Sequence, residues 1–75
     1  MNQSFAVVIE PAGSNFSAYV PDLPGCVATG ATREAALEEI RSAIRSHLDG
    51  LQQDQAKPPI IHASVAMVEI KAHIP

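Results

Sequence analysis

"YVPDLPGCVATGAT", residues 19–32, sets two prolines and two glycines between an alternating, strand-like run and a helical one. Pro21 ends the strand before it, because proline cannot donate to a sheet ladder. Asp22 is suited to accept hydrogen bonds from backbone N–H groups two residues on. "LPGC" matches a type II turn: Pro24 presets the first central residue and Gly25 takes the positive φ that other residues resist. Gly30 then eases the chain toward a helix that Thr32 can cap. The stretch reads as a rigid corner that fixes where the sheet stops and the helix starts. Besides turning the chain, it offers Tyr19, Asp22, Leu23, Pro24 and Gly25 as candidate contacts for a partner.

Upstream, "SFAVVIE" places Phe5, Val7 and Ile9 on one face and Ala6, Val8 and Glu10 on the other, the period of a strand. "PAGSN" supplies about five turn residues, and "FSAYV" resumes the alternation with Phe16, Ala18 and Val20. The two runs read as a hairpin. Downstream, "CVATG" is a short third strand. A helix opens at Arg33, with Glu34 at its positive dipole end. Its apolar stripe runs through Ala36, Leu37, Ile40, Ala43, Ile44, Leu48 and Leu51, which carries the helix to about Gln53. Gly50 inside it costs about 1 kcal/mol. Pro58 and Pro59 then break the chain. "HASVAMVEIKA" alternates again, with Val65, Met67 and Glu69 opposite Ala66, Val68 and Ile70, and reads as a final strand.

The element order is therefore β-β-β-α-β in an α+β, two-layer arrangement, because an amphipathic helix needs an apolar sheet face. A three-strand meander followed by a right-handed crossover puts the last strand beside the first. The expected sheet order is 3-2-1-4, with the one helix on one face. The other face, with Ala6, Val8 and Tyr19 and with Val65 and Met67, is left without a covering segment, so a homo-oligomer (dimer or tetramer) is expected, joined through this face or through an unpaired edge strand.

The totals agree with a single domain over residues 1–75. A domain this small buries only about 60–65% of its unfolded surface, and self-association is one way to supplement such a core. A single cysteine, Cys26, excludes an internal disulfide. The net charge of −3 argues against nucleic-acid binding through a basic stripe, and it suits a basic partner. Apolar runs fall far short of the roughly 20 residues that span a bilayer, and the N-terminus lacks the basic start of a signal peptide. A cytoplasmic protein with no membrane association is expected.

Chemistry is sparse. Glu10, Asp22 and Glu69 are scattered acids that poorly match a two-metal nuclease. His47, His62 and His73 have no ligand spacing, with His47 read as a boundary or interface residue. Cys26 has no sequence neighbour to activate it and suits a buried small hydrophobe. No catalytic, metal or cofactor site is assigned, and the chain is not expected to be an enzyme.

From Tyr19 to Leu51, "YVPDLPGCVATGATREAALEEIRSAIRSHLDGL" resembles the HicB antitoxin family, in the aromatic–aliphatic strand end, Pro-Asp-Leu-Pro-Gly-Cys, the short strand ending in Gly, and the helix opening Thr-x-x-Ala-Ala-Leu. The later "PP" also fits. The resemblance implies a partial RNase H-like fold and an antitoxin role in a type II toxin–antitoxin system. Its partner would be a HicA-like toxin, a small basic ribonuclease with a double-stranded-RNA-binding fold. Many members continue into a DNA-binding segment. This chain stops at Pro75, like the short single-domain members, so no DNA binding is expected from it alone. The alternative is a stand-alone regulatory or scaffold domain that binds a small ligand or another protein.

Overall fold

Three antiparallel strands and one helix form in the computed structural model, which describes residues 3–53 and 59–71. Strand β1 spans Val8–Ala12, β2 Asn15–Tyr19 and β3 Val27–Gly30, and helix α1 spans Arg33–Gln53. The sheet order is β1-β2-β3. Register pairs Val8 with Tyr19 and Pro11 with Phe16 across the hairpin, and Tyr19 with Val27 across β2 and β3.

The hairpin turn is tighter than the five residues expected. Both strands run on through Pro11 and Asn15, leaving Gly13 and Ser14 as a two-residue turn. Gly13 has φ 67°, the left-handed geometry that two-residue hairpin turns use to match strand twist. Pro11 is tolerated because β1 is an edge strand. The ladder begins only at Val8, although alternation begins at Phe5. Beyond Tyr19 the next residue of that strand to face β1 is Pro21, which has no N–H to donate, so the ladder stops and residues 5–7 have no strand to pair with.

Odd positions of β1 and even positions of β2 face the helix. Ala18, Val20, Leu23, Cys26, Ala36 and Ile40 are buried, and Phe5, Val7, Ile9, Phe16, Ala28, Leu37, Ala43 and Ile44 pack around them. The helix stripe is the one expected, and it rests on β3 and β2 while barely reaching β1. Gly30 permits this. A Cβ there would come within 2.8 Å of the helix backbone at Ala36 Cα and 2.7 Å of Ala35 C. Thr32 caps the helix as expected: its Oγ1 accepts from the Ala35 N–H at 3.0 Å and its carbonyl from Ala36 N–H at 3.0 Å.

The expected fourth strand is not seen. Residues 59–71 carry no strand pairing, and the position beside β1 is unfilled by any described residue. The sheet thus shows the 3-2-1 part of the expected 3-2-1-4 order. Alternation makes a segment fit to be a strand, but a strand exists only with a neighbour to share its hydrogen bonds. Here residues 62 and 63 are held at the corner between β2 and β3, and residues 64–71 are all exposed. Met67 is 93% exposed and Ile70 75%. The molecule is accordingly drawn out to 56 × 27 × 20 Å, with a radius of gyration of 15.2 Å. A compact chain of this length would have about 11 Å.

Candidate partner-binding corner

Two β-turns back to back build the corner. Leu23 N–H donates to the Val20 carbonyl at 3.1 Å, and Cys26 N–H donates to the Leu23 carbonyl at 3.0 Å. Val20 N–H closes the loop onto the Cys26 carbonyl at 3.2 Å. Gly25 has φ 83° at the third position of the second turn, as a type II turn requires. No heavy atom lies within 4 Å of where a Gly25 Cβ would stand, so backbone conformation alone demands glycine there.

The five corner residues face different ways. Leu23 is 1% exposed and turned into the core, where it anchors the loop from within. Pro24 and Gly25 form the exposed tip. Tyr19 is 41% exposed on the sheet face opposite the helix, in register with Val8 and with Val27, itself 65% exposed. That row crosses all three strands and makes an apolar strip with no helix over it.

Asp22 has a longer reach than its local sequence suggests. Its carboxylate accepts from the backbone N–H of His62 at 3.1 Å and of Ala63 at 2.9 Å, forty residues down the chain. Local N–H groups are the expected partners, but Pro24, two residues on, has none, and the Leu23 and Cys26 N–H groups go to the Val20 and Leu23 carbonyls, which leaves the carboxylate to the returning chain. Nothing in the spacing of residues 22 and 62 signals this contact.

A second concavity lies on the helix side. Phe5 and Val7 face Leu37, Ile40, Ile44 and Leu48 across a groove of about 520 Å³, rimmed by Gln3, Arg41 and Arg45. It exists because the helix is longer than the strands and is displaced toward β3.

Cys26 is free and buried, and burial pushes its thiol pKa above the ordinary value, which leaves it a poor nucleophile. Glu10 lies on β1, Asp22 in the corner and Glu69 in the exposed segment. Among the described residues no three His, Cys, Asp or Glu side chains gather to hold a metal. His47 is half-buried on the helix, His62 is exposed, and His73 falls outside the described residues. Among those residues no helix is long and apolar enough to cross a membrane.

Comparison with known proteins converges on one family. The family model for the HicB-like antitoxin of bacterial toxin–antitoxin systems matches residues 5–73. A UPF0150 protein of Synechocystis is 34% identical over 68 residues, covering 89% of this chain and 93% of its own. A UPF0150 protein of Helicobacter pylori is 42% identical over 48 residues, covering 64% and 67%. An uncharacterized 14.9 kDa protein from the rep-hol intergenic region of Haemophilus phage HP1 is 31% identical over 55 residues. That match takes in 73% of this chain but only 41% of the phage protein. No solved structure gives a significant match. A family match across residues 5–73, through the corner, the capped helix and the extended segment beyond, places this chain in the HicB-like antitoxin family.

Proposed function

We propose that this protein is the antitoxin of a type II toxin–antitoxin system, and that it binds and neutralises a small basic ribonuclease toxin of the HicA type. The family match over residues 5–73 carries this reading. The acidic balance, eight acidic against five basic side chains, favours encounter with a basic partner. The chain acts by covering the toxin and performs no catalysis, in the cytoplasm. It works as a homo-oligomer, and its complete sheet has the 3-2-1-4 order of a partial RNase H-like fold. The contact surface is the uncovered strip of Tyr19 and Val27 with the tip at Pro24 and Gly25. Leu23 holds that tip from within, and Asp22 fastens residues 62 and 63 beside it.

The reading requires a small basic protein encoded beside this gene, and co-expression with it is the test. The neighbour alone should arrest growth, and this chain should restore growth and co-purify with it. Tyr19→Ala combined with Val27→Asp should weaken that capture at least about tenfold, while the far-UV spectrum and the melting curve stay near those of the parent. A neighbour that is harmless, or that never binds, defeats the proposal.

A second reading draws on the groove. Its volume of about 520 Å³ falls in the range of small-molecule sites, which suits a stand-alone regulatory or scaffold domain. A small ligand that raises the melting temperature with no protein partner present would favour it.

A further inference from the structure

Residues 64–71 and the groove beside β1 are the two unsatisfied parts of this molecule, and each has what the other lacks. The segment is unpaired and mostly apolar, and its alternation sets Ala66, Val68 and Ile70 against Val65, Met67 and Glu69, all exposed. The groove is lined by Phe5, Val7, Leu37, Ile44 and Leu48. It runs beside a sheet edge that has no strand along it among the described residues. We infer that the segment is an exchange arm: it adds as a fourth strand to the outer edge of β1 in a second copy of this chain, with Ala66, Val68 and Ile70 entering that copy's groove.

Several observations select the edge and the occupant. The sheet has two outer edges, but α1 lies over β3 and barely reaches β1, so the β1 edge offers the roomier place for an apolar side-chain row. Pro11 blunts the far end of that edge, which directs strand addition to the Val8 end of β1 and to the residues before it, where Phe5 and Val7 line the groove. The Asp22 carboxylate pins residues 62 and 63 at the corner between β2 and β3, not at β1. Residues 64–71 beyond that clasp are exposed and make no pairing with the β1 edge of their own chain, so the arm stands off the domain. Eight residues at about 3.3 Å each make a strand longer than β1, enough to fill the groove. Donor and acceptor belong to one chain, so a two-fold axis satisfies both at once and closes the assembly as a dimer. Exchange also puts Val65 and Met67 on the open sheet face and completes the four-strand order.

This inference rests on the homo-oligomer proposed above, and the experiment separates their failures. Light scattering on the full chain should give twice the 7.9 kDa chain mass. Val68→Asp with Ile70→Asp, both at exposed positions, should return the mass to one chain at the same concentration, with the helical signal kept. Leu48→Glu should do the same from the groove side. Mixing these two monomeric variants should regenerate a dimer, because one intact arm meets one intact groove. A parent chain that is monomeric at millimolar concentration overturns both the oligomer and the exchange. A dimer whose mass survives the arm substitutions overturns the exchange alone. Failure of the mixed variants to associate also overturns it, and points to an arm folded back on its own chain or reserved for another protein.

Discussion

Gly25 and Gly30 stand five residues apart and are required for different reasons, which substitution can separate. At Gly25 the backbone sits at φ 83° in open space, so Gly25→Val carries only conformational strain, about 1–2 kcal/mol. At Gly30 the helix backbone fills the place of a Cβ, and backbone cannot rotate aside as a side chain can. Gly30→Ala, the smaller change chemically, should therefore cost more, about 3 kcal/mol or above. Urea denaturation of both variants reads the order directly, and an equal or reversed order would refute the close approach. The Gly25 turn was legible in the sequence because Pro24-Gly25 is a local signal. The Gly30 contact was not, since it depends on where a helix six residues later comes to lie. Leu23 and Asp22 make the same point: one is buried and the other bonded across forty residues, and neither fate is visible in the corner itself.

Among the elements, the helix was the most readable. Its cap at Thr32 and its stripe follow from residue type and a period of three and four. Two substitutions on it should act in opposite directions. Thr32→Ala removes the acceptor for the Ala35 N–H and should destabilise by about 1 kcal/mol. Gly50→Ala meets no atom within 4 Å and should stabilise by about 0.5–1 kcal/mol, because Gly50 lies within the helix. Thermal melts of the pair check both signs. Strand ends were less readable, because a strand's length depends on its neighbour. Alternation from Phe5 overstates β1, and alternation from His62 describes a strand that has no partner among the described residues.

At the scale of the molecule, the two-layer plan and the order of the first three strands were legible, because helix and sheet each need the other's apolar face. The empty fourth position was not, since filling it depends on whether a chain pairs with itself or with another. An arm-exchanged dimer ties folding to association, so its melting temperature should rise with protein concentration. Scans of the full chain across a hundredfold dilution series check this. A flat response, alongside a dimeric mass, would mean that the contact between copies adds nothing to the stability of the fold.

The grip of Asp22 on residues 62 and 63 uses main-chain hydrogens alone. Such a clasp is blind to side-chain identity, so histidine and alanine there are free to drift to nearly anything. One residue type is barred, the one that brings no hydrogen to the clasp. The two prolines of this stretch, at 58 and 59, stop three residues short of it. Relatives that keep an aspartate at this corner should therefore vary widely opposite it while avoiding proline.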